Sequence, residues 1–172
     1  MSVGRICQRD VDFADPTESA FKAAERMHQR TVGALVILDD DRRPTGIVTD
    51  RDLTTRVIAG SRDPFTTSLA EVMTRYPKTV TEDTAIETAL TLMRSGAFRR
   101  IPVVDRDDRL VGLVTLDDIL MLLCEEFTTI GTLLSRETPV AAAQEWAAAH
   151  AEPSPAPPRD EIPATIEAKV QR

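Results

Sequence analysis

Two threonine–aspartate pairs are the residues best placed to do chemistry. Gly46-Ile47-Val48-Thr49-Asp50-Arg51-Asp52 recurs as Gly112-Leu113-Val114-Thr115-Leu116-Asp117-Asp118. Each is a hydrophobic strand running into a Thr-x-x-Asp turn, and that turn supports two readings. As a capping box, the Thr hydroxyl accepts from the N3 backbone and the Asp carboxylate reaches back to the cap. As a ligand site, N–H groups at a helix start and a Thr hydroxyl face a phosphate. One turn on, the Asp carboxylate accepts from ribose hydroxyls, and Gly46 or Gly112 lets backbone and ligand come close. Both readings stand at this point.

Other reactive groups are sparse. His28 and His150 have no companions at ligand spacing, so no metal is expected. Cys7 and Cys124 form no CxxC and are read as buried thiols in a reducing compartment. The remaining carboxylates fall at caps and hairpin connections, with no base and orienting partner to make a catalytic group. No enzyme activity and no catalytic residue is expected.

The elements that position the pairs repeat with them, at an offset of 66 residues. Ala20, Ala23, Ala24 and Met27 lie on one helical face, as do Ile86, Ala89, Leu90 and Met93. Helix starts are expected at Asp15-Pro16-Thr17 and around Thr81 to Thr84. Leu35-Val36-Ile37-Leu38 and Ile101-Pro102-Val103-Val104 read as strands, followed by polar hairpin connections at 39–43 and 105–109. Second strands near Thr45–Val48 and Leu110–Val114 enter the Thr-x-x-Asp helices. The unit is strand–helix–strand–strand–helix, twice, an α/β (α+β) fold with a pseudo-two-fold. Ser68 and Glu71 have capping-box spacing ahead of repeat two.

Leu116, Ile119, Leu120, Leu123, Phe127, Ile130 and Leu134 prolong the last helix as an apolar stripe that serves either its own sheet or a second subunit. Repeats are expected at 1–66 and 67–125, a helical extension carrying Trp146 at 126–151, and a Pro-rich disordered tail at 152–172.

A net charge of −7 excludes general binding to nucleic acid or an anionic membrane surface. No apolar run reaches the roughly 20 residues of a membrane span. Met1-Ser2-Val3-Gly4-Arg5 lacks the apolar stretch of a secretory signal, so a cytoplasmic location is expected.

The duplicated Gly-h-h-Thr-x-x-Asp unit resembles a pair of CBS domains, or Bateman module. Ile101-Pro102-Val103-Val104-Asp105, Val72-Met73-Thr74 and the run from Val32 to Asp39 belong to the same pattern, over about residues 3–125. The resemblance implies clefts between the repeats that hold AMP, ADP, ATP, S-adenosylmethionine or NAD(H) as a regulatory ligand, with no obligatory cofactor. It implies Asp52 and Asp118 for ribose, and Thr49 and Thr115 for phosphate or ribose. Gly33, Ala34, Leu35, Arg100, Ile101 and Pro102 would line adenine, with Thr79 and Val80 as another wall. It also implies a homodimer signalling to a separate protein partner.

The two clefts are not expected to be equal. Repeat one carries Arg51 in its motif where repeat two has Asp117, and repeat two is expected to compensate with Arg99 and Arg100. Strand alternation should turn only one of those two arginines to a cleft. Repeat one also has Phe13-Ala14-Asp15-Pro16 in place of the Thr79-Val80 opening, and Val36 where repeat two has Pro102. The rival reading is a scaffolding dimer in which the Thr-x-x-Asp turns only cap helices.

Overall fold

In a computed structural model, residues 1–96, 98–137 and 149–150 are described. The expected Trp146 helix and Pro-rich tail lie outside them, apart from residues 149–150. Residues 1–127 form one compact unit and 128–172 a second.

Repeat one is built from β1 (Phe13–Ala14), α1 (Ala20–Arg30), β2 (Ala34–Leu38) and β3 (Pro44–Thr49). A single α turn, α2 (Asp50–Asp52), then passes into a π-helical stretch, Leu53–Ile58. Repeat two is α4 (Ile86–Gly96) between β5 (Val80–Thr81) and β6 (Arg100–Val104), followed by β7 (Leu110–Thr115) and α5 (Leu116–Glu137). Linker elements α3 (Leu69–Val72) and β4 (Thr74–Arg75) lie between them in sequence.

The offset extends to details of register and packing. Ala34 pairs with Thr49 and Arg100 with Thr115, each hairpin keeping its irregularity at the corresponding place. Ala20, Ala23 and Met27 bury one face of α1, and Ile86, Ala89 and Met93 bury the same face of α4. Helix α1 starts later than expected, capped by Ser19, because Asp15 instead accepts from Thr17 and Glu18 in a tight turn. Asp39 Oδ1 accepts from the Asp41 and Arg43 backbones, and Asp105 Oδ1 from Asp107 and Arg109. Backbone donation by Arg109, then Asp107, holds the Asp105 carboxyl below its ordinary range.

Sequence order and spatial order are exchanged at the edges. The linker strand β4 pairs with β3, so Leu69 and Val72 enter the core of repeat one. The N-terminal segment does the converse: Gln8 bridges Leu113, and Val3 and Cys7 enter the core of repeat two. A third cluster joins the sheets, with Ala34, Val36 and Ile47 against Leu110 and Leu113.

This exchange corrects the expected role of the motif glycines. A Cβ on Gly46 would collide with the Met73 side chain, and one on Gly112 would lie 2.9 Å from Gln8 O and 3.0 Å from Cys7 Sγ. Their open sides admit the crossing segments and not a ligand.

Burial of Cys7 pushes its thiol pKa up, whereas Cys124 is exposed, contrary to the expectation of two buried thiols. Iodoacetamide at mildly alkaline pH should therefore alkylate Cys124 first, with Cys7 reacting only on unfolding; equal labelling in the native protein would contradict this placement of Cys7.

Among the described residues, no helix is long and apolar enough to cross a membrane.

Candidate functional site

Both Thr-x-x-Asp turns form complete capping boxes. Thr49 N and Thr49 Oγ1 donate to Asp52 Oδ2 at 2.9 and 2.7 Å, and Asp52 N returns a bond to Thr49 Oγ1 at 3.2 Å. Thr115 and Asp118 repeat this at 2.8, 2.7 and 3.1 Å. The hydrogen of each Thr hydroxyl is already given to its own Asp, so donation to phosphate would require that bond to be exchanged. The backbone donors are engaged as well, because Arg51 N is bonded to Asp50 Oδ1 at 2.7 Å. The uncommitted positive groups of this cleft are therefore side-chain cations.

The second carboxylate oxygens differ. Asp52 Oδ1 meets Arg56 Nη2 at 3.2 Å, and Arg56 is fixed by Val72 O at 2.7 Å and Thr74 Oγ1 at 3.0 Å. Asp118 Oδ1 accepts from Gln8 Nε2 at 2.9 Å. A carboxylate oxygen accepts two bonds, so one acceptor position remains on each Oδ1.

A cavity of about 550 Å³ opens at the Thr49 turn, within the range of small-ligand sites. It is lined by Ile47, Thr49 and Asp52 from repeat one, by linker residues Thr74, Tyr76, Pro77 and Lys78, and by Phe98, Arg99 and Arg100 of repeat two. Tyr76 is largely exposed and holds φ at 49°.

Of the residues expected at a ligand site, Thr49, Arg51, Asp52, Arg99 and Arg100 line this cavity together. Arg99 and Arg100 thus join the repeat-one motif, where they were expected to serve repeat two. Both reach the cavity because Arg99 precedes β6, where strand alternation does not apply. Gly33 lies beside the Arg100 guanidinium: a Cβ there would be 2.8 Å from Nη2. Leu35, Val80 and Ile101 are core residues, and Ala34 and Pro102 are also buried. Thr79 is exposed, and neither it nor Thr115 nor Asp118 lines this cavity.

Sequence reasoning missed Arg56, Thr74, Tyr76 and Lys78. Three of these lie on the linker or its continuation, which periodicity assigns to neither cleft.

Charge in the cavity is uneven. Asp50 and Asp52 face Arg51, Arg56, Lys78, Arg99 and Arg100. Among the described residues, Arg51, Lys78, Arg99 and Arg100 have no ion-pair partner. A separate cavity of about 500 Å³, lined by Asp10, Asp12, Asp15, Glu18 and Arg26 among others, flanks β1 and is rich in carboxylates.

Comparison with known proteins agrees with the fold. The uncharacterized protein MK0525 of Methanopyrus kandleri is 36% identical over 71% of this chain, which spans 62% of that relative's length. A putative signal-transduction protein with CBS domains from Burkholderia ambifaria superposes with a TM-score of 0.67 at 26% identity, covering 72% of this chain and 93% of that one. The CBS domain pair of protein MJ0100, solved with 5′-methylthioadenosine and S-adenosyl-L-methionine, gives 0.67 at 27% identity, covering 73% and 98%. The CBS domain description matches residues 3–59 and 69–125, the two halves related by the internal repeat, and the chain belongs to the CBS-domain family as a tandem pair.

Proposed function

We propose that the Thr49 cleft binds an adenosine-containing compound and that the module is a regulatory sensor acting on a separate protein. The observation that carries this is one cavity in which the Thr49–Asp52 turn of repeat one meets Arg99 and Arg100 of repeat two. A ligand there touches both repeats and can favour one arrangement of them over another. Regulation requires that unequal affinity. The ribose contact uses the remaining acceptor position on Asp52 Oδ1. The ligands of the MJ0100 pair support the adenosine assignment by similarity.

Isothermal titration of the full chain with AMP, ATP, S-adenosylmethionine and NADH tests the reading. Saturable heat with at least one of them is the expected result, and no binding by any at millimolar concentration overturns it. The second reading, a scaffolding dimer, is favoured by the capping boxes being complete without a ligand.

We further infer self-association through α5. Ile119 and Leu122 of this helix are buried, whereas Leu120, Leu123, Phe127 and Ile130 remain exposed, Phe127 at 70%. The apolar stripe therefore extends beyond what its own sheet covers. In sedimentation velocity the parent should run as a dimer and Phe127→Asp as a monomer. The same sedimentation coefficient for both would exclude this face.

A further inference from the structure

The pseudo-two-fold that relates the two Thr-x-x-Asp turns also relates the residues around them, and there the charge reverses. Shifting by 66 residues carries Arg51 onto Asp117, Arg56 onto Leu122 and Lys78 onto Asp12. The arginine pair Arg99 and Arg100 falls on Gly33 and Ala34, and Tyr76 on Asp10. The cavity at Thr49 holds five cations against two carboxylates. Positions equivalent to those five cations hold two carboxylates and no cation.

The one arginine at a symmetry-related position, Arg30 in place of Gly96, is already neutralised. It meets Asp10 Oδ2 and Asp12 Oδ1, each at 3.0 Å. Gln8 occupies the free side of Asp118 at 2.9 Å, in the place that Thr74 takes beside the first cleft.

We propose that each chain takes one anionic nucleotide, held by its phosphates at Arg51, Lys78, Arg99 and Arg100 in the Thr49 cleft, and that the Thr115 cleft rejects anions. This rests on the adenosine reading above and adds to it the charge class and the stoichiometry. The phosphates supply the counter-charge that the cavity lacks. At the positions related by the offset, Asp10, Asp12, Asp117 and Asp118 stand against the single Arg30 and repel the same group. The duplication thus yields one phosphate site per chain.

The test is calorimetric titration of the full chain with adenosine, AMP, ATP and inorganic tripolyphosphate, at about 0.05 and about 0.5 M salt. ATP should bind with one equivalent per chain, about 100-fold or more tighter than adenosine at low salt, and lose most of that advantage at high salt. Arg99→Ala with Arg100→Ala should remove at least about 10-fold of ATP affinity and lower adenosine affinity by a much smaller factor. Arg106→Ala, on the hairpin away from the cleft, should bind ATP as the parent does. If the double variant does not fold, Lys78→Ala gives the same test from the linker, with a smaller loss.

Two equivalents of ATP per chain, or adenosine binding as tightly as ATP, overturns the proposal while leaving the adenosine reading intact. One equivalent of tripolyphosphate with no preference for adenosine compounds upholds the anion cleft and overturns the adenosine reading. No binding by any of these ligands overturns both.

Discussion

Leu69→Ala is expected to destabilise repeat one, not repeat two, by about 2–5 kcal/mol. Leu69 is fully buried although α3 is only four residues long, and its side chain packs in the cluster with Ala23, Leu35, Ile37 and Val48. Its backbone N–H donates to Glu18 O at 2.9 Å, and Ser68 bridges Ser19. The linker is therefore anchored on both sides, and truncation leaves a cavity that cannot collapse freely. Against a typical domain stability of about 5–15 kcal/mol, such a loss is large.

Hydrogen exchange locates the damage. Protection should fall first in β2 and β3, with β6 and β7 retained until global unfolding. Val3→Ala, at the symmetry-related position in the other core, should do the reverse with a smaller loss of about 1.5–3 kcal/mol. Exchange that rises equally in both sheets after Leu69→Ala would mean that the two cores unfold as one.

These two substitutions mark where the sequence was legible and where it was not. Periodicity and the repeat gave the helices, the hairpins and the Thr-x-x-Asp junctions, because Ala23, Leu35 and Val48 obey local spacing rules that Ala89, Ile101 and Val114 repeat. The crossing of Leu69 and Val3 into the other half's core has no local signature, since an apolar residue ahead of a repeat packs equally well forwards or backwards.

The site suffers from the same blindness. The offset aligns each motif with its copy and so suggests two self-contained clefts. The cavity instead draws Arg99 and Arg100 from one repeat to the Thr49–Asp52 turn of the other. Arginines that were expected to balance the two clefts are pooled in one. Arg56 and Lys78 could have been found by asking which cations lack a counterpart at the offset, a comparison that needs no coordinates.

Asp52→Ala is expected to weaken nucleotide binding by about 1.5–3 kcal/mol, roughly 10- to 150-fold, on top of a loss of stability. The substitution does two things, because Asp52 Oδ2 closes the capping box and Oδ1 faces Arg56 with one acceptor position left. Loss of the cap alone costs about 0.5–2 kcal/mol of folding stability. Thr49→Ala separates the effects. It removes the hydroxyl that Asp52 N donates to, yet leaves the carboxylate in place, still held by Thr49 N and Arg56. Both variants should melt lower than the parent by similar amounts, while only Asp52→Ala loses most of its affinity. An opposing effect works against this expectation: removing a negative charge from beside Arg56 makes the cleft more attractive to phosphate. That gain is long-range and screened, so it should fade at high salt, whereas the lost ribose bond does not. The affinity ratio of Asp52→Ala to parent should therefore worsen as salt rises. Equal affinity losses in the two variants, at every salt concentration, would show that Asp52 serves the fold and never the ligand.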